Sequence, residues 1–292
     1  MSKNTEKHKY LISVDIEGIT GVSGPSFARL DGIHYTIAMK YLLNDVNAVV
    51  QGIISADQNA TIIVRDAHGL GINMNMEGLH PKARLIQGWG DEMNMLESID
   101  ESYKGVFLVG YHAGGNNNKA VLAHTMSSLI HSVKINGELY NETGIAAICA
   151  GYYNVPIAFI SGDNYTIKEA KEQLGDVVGI IVKESYARDC ALSLSLAEAR
   201  ELLTKGAEQA VQNLLHNKMT ALKIPSPIKT EIKLYNNGFG ISVFQKLYKT
   251  LDFDKNYEFD ADNFIIKYSS NSHLLMLKRL NLILQLVYGT KK

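Results

Sequence analysis

Two acids, Asp15 and Glu17, close the apolar run of "ISVDIEGITG" (12–21) two residues apart. On an extended chain such residues point to the same side, about 6.6 Å apart. The two carboxylates therefore converge if the backbone stays extended through Ile16, with Gly18 free to turn the chain afterwards. Two like charges that close, half-buried, repel unless a proton or cation neutralises them. Further groups able to share a cation follow: Asp66 and His68 in "DAHG", His112 in "GYHAGG", His124 in "LAHT" and Glu142 in "NETG". Carboxylate oxygen and imidazole nitrogen without thiolate suit Zn, Mn or Co better than an iron–sulfur cluster or Cu(I). One carboxylate such as Asp15 could bridge two ions about 3.5–4 Å apart, the spacing of two-metal hydrolases. Each residue alone has a structural reading: a solvated loop start for Asp15 and Glu17, a hydrogen-bonded histidine for His68, His112 or His124, a helix-dipole acid for Glu142. Their recurrence at successive strand ends carries the metal reading.

The elements that must position them alternate. Strands are expected at 10–15, 60–66, 83–88, 105–112, 155–163 and 178–183, with short strands in 120–140 turning at Asn136-Gly137, a hairpin signal. Helices are expected over 35–57, where Leu42, Val46, Val49, Val50 and Ile53 share a face, and over 91–98, 141–154, 165–174 and 195–215. Leu196, Ala199, Leu203, Ala207, Ala210 and Leu214 form the stripe of the last. This alternation, with continuously apolar strands, predicts an α/β fold: three layers around a mostly parallel sheet. In such sheets ligands bind beyond the carboxyl ends of the strands, where these acids and histidines fall. A catalytic domain over 1–190 and a smaller α+β domain over 191–292, contributing to oligomer contacts, are expected. The second would hold a strand in 225–235, a helical piece at 240–249 and a helix from about 271.

Bulk properties exclude other classes. Twenty-nine basic residues against 30 acidic ones leave no basic excess for a nucleic-acid partner. No stretch approaches the roughly 18 unbroken apolar residues of a membrane span, and Lys278 and Arg279 interrupt "LLMLKRLNLILQLV". The polar N-terminal segment lacks a signal peptide's apolar region, which predicts a cytoplasmic protein. Cys149 and Cys190 lie in no metal-binding spacing and read as reduced core thiols.

"SVDIEG", "DAHG", "GYHAGG", "LAHT" and "NETG", in this order, resemble the signature of the DppA-like D-aminopeptidases, the M55 family of metallopeptidases. The resemblance covers residues 10 to about 190. It implies a binuclear zinc aminopeptidase, two Zn²⁺ per chain, that removes D-amino acids from the N-terminus of short peptides, with D-Ala peptides as the substrate class. It implies Asp15, Glu17, His68, His112 and Glu142 as metal ligands and His124 as the catalytic histidine. It also implies a homo-oligomer, a ring-stacked decamer enclosing the active sites. The loop 113–119 is where members vary. In this reading the metal pair activates a water, and His124 serves as proton shuttle, stabiliser of the tetrahedral intermediate or nucleophile. Two rivals stand beside it. One is a metal-binding homologue without turnover. The other is a Mg²⁺-dependent phosphatase of the haloacid-dehalogenase type, with Asp15 as nucleophile in "DIEGIT"; it leaves His68, His112 and Glu142 without a role.

Overall fold

The computed structural model describes residues 7–90 and 93–289. The first six residues, part of the polar segment read above, lie outside the described residues, as do Asp91 and Glu92 of the helix expected at 91–98. Within the described part of that stretch stands a 3-10 turn, Asn94–Leu96.

A seven-stranded sheet forms the centre, in the order β3 (Ala83–Ile86), β2 (Thr61–Asp66), β1 (Lys9–Val14), β4 (Tyr103–Val109), β7 (Ile157–Asp163), β8 (Val178–Ala187), β9 (Cys190–Ser193). All pairs are parallel except β8–β9. This is the expected mostly parallel α/β sheet; the antiparallel β9 and the extension of β8 beyond 183 were not foreseen. Five strands pair into a second, antiparallel sheet in the order β11 (Tyr257–Asp260), β12 (Ile265–Ser270), β10 (Ile228–Leu234), β5 (Ile130–Ile135), β6 (Glu138–Tyr140). Asn136 and Gly137 join β5 to β6 with φ of +52° and +91°, the positive pair that a two-residue hairpin turn requires.

Helices cover both faces of the central sheet. After the short α1 (Pro25–Ala28), α2 (Tyr35–Ala56) packs on one face beside α5 (Leu196–Leu215). Leu42, Val46, Val49, Val50 and Ile53 of α2 are buried there with Ala199, Leu203, Ala207, Ala210 and Leu214 of α5; Leu196, the first of the expected stripe, is 39% exposed. On the other face lie α3 (Glu142–Tyr152) and α4 (Asn164–Leu174), then the second sheet with α6 (Gly238–Leu251) and α7 (His273–Gly289). One apolar cluster runs from Leu11, Val106 and Leu108 through α3 to Ile232, Val243 and Leu280. The expected division at residue 190 falls at the start of β9 and does not separate the sheets: β5 and β6 join the second, and α5 packs on the first. Cys149 is buried as expected; Cys190 is exposed, because β9 is an edge strand. No helix among the described residues is long and apolar enough to cross a membrane.

The chain winds outward from β1 to β2 and β3, then returns to β4 on β1's other side. Strand order therefore reverses between β1 and β4, which opens a crevice beyond their carboxyl ends.

Candidate metal centre

β1 stops at Val14, one residue short of the acid it was expected to carry. The chain bends at Ile16 and turns at Glu17 and Gly18, closed by the Ile19 amide on the Ile16 carbonyl at 3.2 Å. The two carboxylates converge through this turn rather than along an extended strand. Gly18 is required for close approach rather than for an unusual φ: a Cβ there would sit 1.9 Å from the Tyr111 carbonyl oxygen. Its amide donates to the Gly110 carbonyl at 2.7 Å, so the ends of β1 and β4 touch backbone to backbone and bring Asp15 and His112 together.

Of the seven acids and histidines singled out in the sequence, all but Asp66 meet here. Asp15 Oδ1 lies 3.0 Å from His68 Nδ1, and Glu17 Oε2 lies 3.2 Å from the same nitrogen. Asp15 Oδ2 lies 3.4 Å from His112 Nε2, which is also 3.4 Å from Glu142 Oε1. His124 Nε2 stands 3.7 Å from Glu142 Oε1, and its ring stacks on His112 with centroids 4.1 Å apart. The donors form two groups, Asp15–Glu17–His68 and His112–His124–Glu142, each compact enough for one ion. Asp15 turns one oxygen to each.

Each histidine is held by its outer nitrogen on a backbone carbonyl: His68 Nε2 on Ala28 at 2.8 Å, His112 Nδ1 on Ala113 at 3.0 Å, His124 Nδ1 on Leu122 at 2.9 Å. With those nitrogens protonated as donors, the three inward nitrogens present lone pairs, the arrangement of metal-bound imidazoles. Those lone pairs face carboxylate oxygens, an arrangement that only a cation or added protons can stabilise. Among the described residues neither His112 Nε2 nor Glu17 Oε2, both buried, has a hydrogen-bond partner, and unpaired buried charge is strongly unfavourable. Burial would lower the His112 pKa, yet Glu142 and Asp15 hold it well above the ordinary range; burial likewise opposes, and Glu17 and Asp15 overcome, the rise at His68. Burial would raise Asp15, but the adjoining His112 and His68 imidazoles hold it far below an ordinary carboxyl. Glu142 is lowered against its burial chiefly by His112. A demand for positive charge, inward lone pairs and an all-oxygen-and-nitrogen donor set fit a divalent metal pair of the zinc type.

Supporting residues escaped the sequence reading. Lys183 of β8 is 1% exposed, and its ammonium donates to the carbonyls of Glu17 at 2.5 Å, Ile19 at 3.0 Å and Val22 at 2.5 Å. Asp45 of α2 accepts the Thr20 amide and hydroxyl, both at 2.9 Å. Together they fix the loop that follows Glu17. A lysine in a strand pattern reads as solvent-facing, and no local signal marks it as buried. On the other side, Glu169 of α4 accepts from the Gly114 amide at 2.9 Å and the Asn141 side chain at 2.8 Å, tying the His112 loop to the start of α3. Asn141 caps α3 through the Gly144 amide at 3.1 Å and so sets Glu142 in its first turn. Asp163 ends β7 as Asp15 follows β1; it binds the amides of Val121 and Thr166, both at 2.8 Å. Its strand-end position was legible. Asp66, by contrast, turns away from the centre and accepts the amides of Asn73 and Met74, shaping the loop after His68.

Comparison with known proteins gives the same direction. The M55 peptidase family, described as D-aminopeptidase, matches residues 9–245. A D-aminopeptidase of Bacillus subtilis (strain 168) is 31% identical over 230 residues, 79% of this chain and 82% of that protein. The solved structure of the Zn-dependent D-aminopeptidase DppA from Bacillus subtilis, a self-compartmentalizing protease, superposes with a TM-score of 0.88 at 26% identity, covering 96% of this chain and 98% of that one. The structural likeness extends through the second sheet, past the region where the sequence motifs end.

Proposed function

The chain belongs to the M55 family of D-aminopeptidases, and we propose that it is a zinc-dependent enzyme releasing the N-terminal residue of short D-peptides, D-alanyl peptides foremost. The observation that carries this reading is the position of Asp15, with one oxygen toward His68 and the other toward His112. Asp15, Glu17 and His68 would hold one zinc ion, and Asp15, His112 and Glu142 the other. When bound, such a pair polarises the scissile carbonyl and lowers the pKa of a bound water toward neutrality.

The remaining work falls to the chain. Glu17 and Glu142, buried and fixed by the Lys183-bound loop and the cap of α3, hold their oxygens without rotational search. His124 is assigned the proton transfer. Its side chain is 24% exposed, against 1% for that of His112, so it faces the approach path. With Nδ1 tied to the Leu122 carbonyl, Nε2 is the atom that takes a proton and returns it to the leaving amine. His124 also lies within reach of a ligand role, since Nε2 belongs to the second donor group; the longer distance to Glu142 and the exposure favour catalysis.

A homo-oligomer is part of the proposal, with a ring-stacked decamer as its finer form. The Bacillus structure is of a self-compartmentalizing protease, and exposed apolar side chains flank this centre: Leu30, Ile33, Leu70 and Ile72 are 55–87% exposed. A cytoplasmic setting accords with two free cysteines. The phosphatase alternative is not favoured, because its nucleophile would be wedged between two histidines.

Zinc analysis tests the reading. Full-length protein stripped by chelator and reloaded should retain about two zinc ions per chain. Protein that retains none, or that hydrolyses phosphate esters with Mg²⁺ instead, would overturn it.

A further inference from the structure

Met126 has an unusual backbone. Its φ is +61°, and the Ser127 amide closes on the Thr125 carbonyl at 2.6 Å across it. A three-residue turn with positive φ at its centre is the rare, strained form of the γ-turn. For a non-glycine residue such a conformation is strained and persists only where its surroundings enforce it. Two contacts do so from opposite sides. The Met126 amide donates to Glu142 Oε1 at 2.5 Å. The Met126 carbonyl accepts a hydrogen bond from the Tyr288 hydroxyl, which comes from α7, 162 residues away.

From this relay we infer that Tyr288 is a positioning residue for the metal centre: it holds the Thr125–Ser127 turn in the conformation that aims the Met126 amide at Glu142 and sets His124 two residues upstream. The inference rests on the zinc reading above. The residue is 46% exposed, yet burial is the first cause raising its hydroxyl's pKa, followed by Glu142, Asp15 and Glu17. The Tyr288 hydroxyl and the Glu142 carboxylate thus grip the same residue, Met126, one at its carbonyl and the other at its amide. Through this contact the C-terminal helix, which carries none of the recognised motifs, becomes part of the active-site framework.

Tyr288→Phe deletes the hydroxyl and keeps the ring. In the zinc-loaded full chain it should lower kcat about tenfold or more while KM stays within about twofold. One of the two steps of a stepwise zinc titration should weaken by about 10- to 100-fold. Adding Met126→Gly, which adopts positive φ without strain, should restore most of both losses. Tyr288→Phe with wild-type kcat and wild-type zinc binding at both steps would overturn the inference alone. A pure rise in KM that Met126→Gly does not rescue would also overturn it, by making Tyr288 a substrate contact. A wild type that binds no zinc would overturn this inference and the proposed function together.

Discussion

Asp15 Oδ2 and His112 Nε2 stand 3.4 Å apart across the point where the strand order reverses, with the other Asp15 oxygen committed to His68. If Asp15 bridges two ions, its loss damages both sites, whereas loss of Glu17 damages one. Asp15→Asn is expected to drop zinc content from about two per chain to below about one, and Glu17→Gln to about one. Metal analysis of the purified variants checks this; full zinc content in Asp15→Asn would remove the bridge.

His124 separates ligand from proton carrier. His124→Ala should keep both zinc ions and lose about 10²–10⁴-fold in kcat, the usual contribution of general acid–base catalysis. Turnover at the wild-type rate would end its catalytic role, and loss of one zinc would make it a ligand.

Lys183 binds three carbonyls of the loop that carries Glu17. Lys183→Met takes the ammonium from the Glu17 and Val22 carbonyls, at about 1–3 kcal/mol each before relaxation, while the Ile19 carbonyl keeps the Val22 amide at 3.1 Å. The expected net loss is about 3 kcal/mol in urea unfolding, accompanied by weaker zinc binding. A variant as stable as wild type with unchanged zinc affinity would show that the loop holds itself.

The residues that carry the chemistry were legible because a parallel α/β sheet collects its strand ends at one edge, so short motifs far apart in sequence fall together. "SVDIEG" and "GYHAGG" show this: each follows a strand, and the two strands are neighbours. What supports them was not legible. Lys183 and Tyr288 owe their roles to segments more than 160 residues away, and each has an ordinary local pattern. The second sheet itself was not legible: it joins β5 and β6, before the domain boundary expected at 190, to β10, after it, and pairing at that separation leaves no periodic trace.

Burial raises the Asp45 carboxyl to about 6, against the opposing pull of the Thr20 amide and hydroxyl, Asn44 and Lys183. The folded state therefore binds this proton more tightly than the unfolded chain, whose Asp titrates near 3.9. The stabilisation is fully present below about pH 4 and is lost as pH rises to about 6. Urea unfolding of wild type and Asp45→Asn from pH 4 to 7 should show their stability difference moving against the wild type by on the order of 3 kcal/mol across that window. A difference that stays flat with pH would place the Asp45 pKa in the ordinary range.

The central claim is that this centre hydrolyses D-peptides through bound zinc. Its most direct test is release of the N-terminal residue from matched D- and L-alanyl dipeptides and tripeptides by zinc-loaded, chelated and reloaded protein. Release from the D-peptides, loss of activity on chelation and recovery with zinc are expected. Equal release from L-peptides, no release from either series, or activity indifferent to chelation would contradict it.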